Sequence, residues 1–316
     1  MAQKKPHTHN KKKAHKAAAR KTTAASTVTA VASSPSVITA TKLPNVWHLS
    51  QRALALVWRH KKLFIGIMLI YGFLDLLLVK GFSGNLDLTT IRSNFDQAFS
   101  GRVTSGLAVF TLLVGSAASG SSDTAGVYQL VLLVTTSLAI IWGIRQVIAG
   151  ASIRIRDTYY RGMYPLVPSA LVLLVVLLEL IPATLGLGIY STAVNNDIAT
   201  TGLEQIIFIV IALALTLVSL YMLTSAVFAL YIVTLPDMTP LKALRSARDL
   251  LRNRRWTVLR KVLFLPLALL VIGALIMLPI IIVVTAIAQW IFFVLALLAL
   301  PILHTYMYGL YRELLT

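Results

Sequence analysis

Six apolar stretches, each long enough to cross a bilayer as a helix, run through the 316 residues and restrict the chain to an all-α, polytopic membrane architecture. They cover 63–79, 127–149, 164–190, 206–236, 263–285 and 290–311. About 20 helical residues cross a hydrocarbon layer of roughly 30 Å, and about 17 suffice. That layer has no water to satisfy backbone N–H and C=O groups, so a spanning segment is a helix or belongs to a closed barrel. Barrel strands alternate apolar and polar positions, whereas these runs are continuously apolar. The expected fold is a six-helix transmembrane bundle.

Charge predicts its orientation. Basic residues collect before the first stretch, after the second (Arg154, Arg156, Arg161) and after the fourth (Lys242 to Lys261), and Arg312 closes the chain. The opposite loops hold only Lys80, Arg92 and Arg102, so the positive-inside rule places both termini in the cytoplasm. With 57% hydrophobic residues, the formal net charge of +18 is confined to a few segments. Such segments attract anionic headgroups, at about 1 kcal/mol per lysine or arginine near the surface. The absence of cysteine excludes disulfides, thiolate nucleophiles and cysteine-ligated metal clusters.

Residues 1–44 form a tail of Lys, Ala, Thr, Ser and His without an acidic residue. So little apolar surface predicts disorder. Three readings fit it: a membrane-hugging tail that fixes orientation, a nucleic-acid or ribosome contact through phosphate neutralisation, and a cleaved targeting peptide. No aromatic residues interleave the lysines, which leaves base stacking without support. Residues 45–62 combine Trp47 and Trp58 with Arg52, Arg59 and Lys61, the composition of a juxtamembrane helix in the headgroup region. The region 63–316 is the membrane domain. Its one sizeable outside segment, Lys80 to Gly126, contains an apolar piece, 107–115, too short to cross and read as re-entrant or interfacial.

The stretch TLPDMTPLKALRSARDLLRNRRW carries the most information. Thr239 before Pro240 is a helix start, because the hydroxyl caps free N–H groups and proline at the first position lacks one. On a 3.6-residue period Leu244, Ala247, Leu251 and Val258 share one side, and Lys242, Arg245, Asp249 and Arg252 the other. This predicts a cytoplasmic amphipathic helix. Two readings stand: a structural anchor, or a lipid-phosphate site built from Arg245, Arg248, Arg252, Arg254 and Arg255, since guanidinium groups engage phosphate bidentately.

Three segments, IRIRDTYYRGMYPLVP, ALYIVTLPDMTPLKALRSARDLLRNRRW and HTYMYGLYREL, are similar to those of a family of uncharacterised bacterial six-span membrane proteins, over roughly residues 45–316. More loosely, the order of spans around the basic helix resembles the membrane domain found beside glycerophosphodiester phosphodiesterases. The resemblance implies a bacterial inner-membrane location and no established activity. The soluble phosphodiesterase domain has no counterpart in this sequence, so hydrolysis is not carried over.

Ionisable residues inside spans are costly and face protein or water. Asp75 and Glu179 fall at similar depth when counted at about 1.5 Å per residue. If they meet, they form an intramembrane proton or ion site; otherwise each bonds within the bundle. Pro182 frees backbone acceptors near Glu179. Arg145 is expected to snorkel to headgroups, His304 to bond a neighbouring tyrosine or backbone group, and Tyr306, Tyr308 and Tyr311 to form an interfacial belt. No HExxH, Walker loop, GxSxG or clustered acidic motif occurs, and no cofactor is implied. The expected function is non-enzymatic membrane organisation or envelope assembly. Its partners would be anionic phospholipids and unidentified membrane proteins, and the alternative is a transporter or channel for a small solute or lipid.

Overall fold

A computed structural model describes residues 45–79, 93, 102–118, 123–196, 198–252 and 254–315. The basic tail and the charged residues Lys80, Asp87, Arg92 and Asp96 lie outside them. Among the described residues the chain is helical, without strands. The helices are α1 (Val46–Arg59), α2 (Lys61–Leu78), α3 (Arg102–Ala118), α4 (Asp123–Ile148), α5 (Ile155–Gly162), α6 (Leu166–Glu179), α7 (Ile181–Asn195), α8 (Gly202–Ile232), α9 (Pro240–Leu250), α10 (Arg255–Val283) and α11 (Thr285–Leu315).

Five segments are long and apolar enough to cross a membrane: Thr124–Ile148, Leu166–Asn195, Gly202–Ile232, Arg255–Val283 and Ile287–Leu315. The protein is therefore a multi-pass helical membrane protein. The first expected span, 63–79, is helical as well, but the 18-residue helix that holds it, α2, includes Lys61, Lys62 and Asp75, which sets α2 apart from the other five.

Two expectations change in detail. The third span is not one rod but α6 followed by α7, with Pro182 near the start of α7. Proline cannot donate a helical hydrogen bond, and its ring crowds the carbonyl four residues back. The Ser219 hydroxyl of α8 enters the resulting gap, donating to the Glu179 carbonyl at 2.6 Å and accepting from the Ala183 N–H at 3.2 Å. The second change is the piece 107–115, which belongs to the 17-residue helix α3. Val109, Phe110 and Leu113 of α3 pack with Met277 and Ile281 of α10 and Ala288 of α11, a helix-to-helix core.

The largest core lies at the basic end. It joins Leu49 and Ala53 of α1, Phe228 to Val233 at the end of α8, Ala243 and Ala247 of α9 with Leu251 just beyond it, Val258 and Leu265 of α10, and Tyr306, Met307, Leu310 and Tyr311 of α11. Tyr306 is fully buried and donates to the Lys261 carbonyl at 2.7 Å, while Tyr311 is also buried. These tyrosines are core residues, not the exposed belt that their spacing suggested. A separate core holds Phe64, Ile67 and Met68 of α2 against Ile140 and Ile144 of α4.

Helix ends follow local chemistry. Thr201 and Glu204 close a capping box at the start of α8, with reciprocal bonds of 3.4 and 3.0 Å. Thr239 accepts from the Lys242 N–H at 3.4 Å, with Pro240 in the first position of α9, as the sequence indicated. Between α8 and α9 the chain turns through Asp237, whose φ of 59° is a left-handed value that aspartate tolerates better than most residues.

Candidate functional site

Helix α9 has two faces with different fates. Ala243 and Ala247 are buried, as is Leu251 just beyond, and they dock on the second half of α8. Arg245, Arg248 and Arg252 are exposed, Arg254 and Arg255 half-buried. None of the five forms an ion pair among the described residues, where the single bridge is the exposed Arg52 to Glu313 contact at 3.2 Å. Arg255 stacks over Tyr221 at 5.1 Å, and Tyr221 meets Trp256, itself 66% exposed, at 5.9 Å. A face of arginines beside an exposed tryptophan can bind phosphate groups while the indole sits among headgroups.

Asp75 and Glu179 are both buried, at 3% and 8% exposure, but the structure gives them different neighbours. Asp75 lines a cavity of about 180 Å³ with Tyr71, Gln129 and Gln289, contributed by α2, α4 and α11. Glu179 ends α6 beside Ser219, and its nearest charges are Arg248 and Arg255. Its Oε2 is buried and accepts no hydrogen bond. Of the two readings of this pair, a shared site or separate bonding within the bundle, these different neighbours fit the second. Depth counted along a helix says nothing of the azimuth at which each residue leaves it.

Comparison with protein-family models, curated proteins and solved structures gives no match. The site must therefore be read from its own geometry.

Arg145 is the second correction. It does not reach outward but clamps the end of α8, donating to the Tyr231 carbonyl at 2.9 Å and to the Thr234 carbonyl and hydroxyl at 2.6 Å each. The last carbonyls of a helix lack intrahelical donors and carry partial negative charge, which a guanidinium satisfies well. The Tyr308 ring covers it at 6.0 Å. His304 bonds a tyrosine as expected, at 3.0 Å from Tyr231, and its other ring nitrogen meets Ser137 at 3.0 Å. This buried line ties α4, α8 and α11 together. In the connection outside the spans, Tyr159 donates to the Ile67 carbonyl at 3.0 Å, and burial pushes its phenol above the ordinary range.

Sequence reading missed the Ser219 bridge and the Arg145 clamp. Both join residues far apart in the chain, and no local spacing marks them. Nor did the sequence bring RGMYPLVP and TLPDMTP together as the two walls of one groove.

Proposed function

We propose that the protein is a non-enzymatic, six-span membrane-organising protein of the bacterial inner membrane that binds anionic phospholipids at its cytoplasmic face. Arg245, Arg248, Arg252, Arg254 and Arg255 carry the binding, and α2 is the sixth span. The family resemblance read from the sequence is part of this reading, as is the cytoplasmic position of both termini. The observation that supports it is the group of arginines on α9 and in the connection to α10, without ion pairs among the described residues, while the opposite face of α9 is locked into the core. A helix fixed in this way spares the cost of ordering its backbone at the moment of binding.

The test is binding of fluorescent short-chain phosphatidylglycerol to the purified full chain in neutral detergent. Replacing the five arginines by glutamine should reduce affinity steeply, at about 1 kcal/mol per residue, and added salt should do the same to the native protein. Unchanged affinity in the five-residue variant would sink the reading.

The broken span favours a second reading, transport of a small solute or lipid. Discontinuous helices build substrate and ion sites in many transporters, and Glu179 lies at such a break with a buried carboxylate oxygen. Proton-linked flux in proteoliposomes that survives both Asp75→Asn and Glu179→Gln would remove it.

A further inference from the structure

The end of α4, the elbow between α5 and α6, and the turn between α8 and α9 enclose a groove of about 860 Å³ at the basic end. This lies within the roughly 300–1,000 Å³ typical of ligand sites. Its walls are apolar, with Trp142 and Pro168 among them, and its polar groups are Arg145, Arg161, Thr234, Thr239, Asp237 and the tyrosines at its rim. Tyr160 and Tyr164 stand at that rim, 81% and 92% exposed.

We infer that this groove holds the headgroup of one anionic phospholipid, its phosphate on Arg161. The inference rests on the reading that the basic end meets an anionic leaflet, but it uses none of the α9 arginines. Three observations converge on it. First, the groove contains two guanidinium groups against one carboxylate, and no ion pair among the described residues neutralises either arginine. Arg145 is held by α8 carbonyls and supplies fixed charge, while exposed Arg161 is available for a bidentate contact. Second, α6 and α9 begin at the groove, at Pro165 and Thr239, and although α5 and α8 end there, the α8 end is already capped by Arg145, so the helix ends do not oppose an anion beside Arg161. Third, an apolar wall and a tyrosine rim suit an amphiphile with its phosphate at the interface, and suit a free anion poorly. The wall is stiff, because Gly162 of α5 sits so close to α4 that a Cβ there would come within 2.9 Å of the Ala139 Cα.

The test uses the full chain in neutral detergent micelles, with retained lipid counted by native mass spectrometry. Phosphatidylglycerol and phosphatidylcholine of equal chain length are added separately. The native protein should retain no phosphatidylcholine and, beyond any phosphatidylglycerol lost in the five-arginine variant, one further phosphatidylglycerol in the groove. Arg161→Gln should weaken that retention about fivefold, and Asp237→Asn should strengthen it, a gain that misfolding does not produce. The five-arginine α9 variant should keep this lipid. Equal retention of both lipids, or no change with Arg161→Gln, overturns the inference. Displacement of the lipid by excess inorganic phosphate would make free phosphate the ligand and overturn it as well. Loss of the lipid in the α9 variant, with Arg161→Gln unaffected, removes the groove and leaves the proposed function standing. Phosphatidylglycerol affinity unchanged in both variants sinks both.

Discussion

The core at the basic end draws on the amphipathic helices α1 and α9, whereas the hairpin formed by α7 with the first half of α8 is apolar nearly throughout, and the two are held together differently. At the basic end seven helices, α4 with Ile141 and α6 with Val172 among them, interlock around Phe228, Leu251 and Tyr306, all fully buried. In the hairpin Leu187 and Ile189 of α7, and Leu203, Ile206, Val210 and Leu213 of α8, are exposed. Its two helices meet where Gly186 faces Ala212, close enough that a Cβ on Gly186 would lie 3.1 Å from the Ala212 Cα. Lipid tails are as apolar as leucine, so helices in a bilayer gain little from burying leucine and associate through close backbone approach at small residues. The comparison teaches that hydropathy marks what enters the membrane, while steric fit and polar bonds mark what packs.

The sharpest way to break this contrast is to shorten one side chain in each region. Phe228→Ala should cost about 3 kcal/mol through lost contacts and a cavity, whereas Leu213→Ala should stay within about 0.5 kcal/mol. Thermal unfolding in one nanodisc composition measures both, and similar losses would refute the distinction. Next in size is Arg145→Gln, which leaves the Tyr231 and Thr234 acceptors without a charged donor. A loss of about 2 kcal/mol is expected. Arg145→Lys should recover less than half of it, because an ammonium lacks the planar fork.

Glycine substitutions test the close approaches directly. Gly162→Ala and Gly186→Ala should each destabilise by about 1–2 kcal/mol, since the obstructing atoms include main chain that cannot rotate away. Gly188→Ala lies on the same helix as Gly186, with nothing within 4 Å of the added carbon, and should be neutral or stabilising by up to about 1 kcal/mol. Replacing Ser219 by alanine probes the broken span. It opens the Glu179 carbonyl and the Ala183 N–H together, and should cost about 1–2 kcal/mol. That exceeds the roughly 0.6 kcal/mol average for interhelical hydrogen bonds in membranes.

The smallest effect is a pH dependence at Tyr159. Its folded-state pKa is raised by burial. The stabilisation is therefore complete below the unfolded phenol value of about 10 and is lost as pH rises through and beyond it. Tyr159→Phe should flatten the alkaline end of the stability curve, read by thermal melts between neutral pH and about pH 11. An unaltered alkaline slope would assign that dependence to other groups.

Much of the fold was legible because its causes are local. Apolar length named the helices, Thr239 with Pro240 named the start of α9, and a 3.6-residue period separated Ala247 and Leu251 from Arg245 and Arg252. Pro182 announced a defect in the third span. The partner that repairs it, Ser219, lies 36 residues from Ala183, and only packing selects it from several hydroxyls on α8. The candidate site divides in the same way. The arginine face of α9 could be read from periodicity, but the groove at Arg161 joins three connections that sequence leaves apart.

By itself the sequence determined that this protein is helical, apolar over several bilayer-long segments and strongly basic at one set of loops. Backbone hydrogen bonding in a medium without water permits no other spanning form for such runs. The tertiary structure alone decided that Asp75 and Glu179 occupy separate polar positions, that Tyr306 and Tyr311 lie in the core, and that Arg145 clamps α8 where it was expected to reach headgroups. Each outcome depends on the direction in which a side chain leaves its helix and on what a distant helix presents there, which hydropathy and spacing along one chain do not encode.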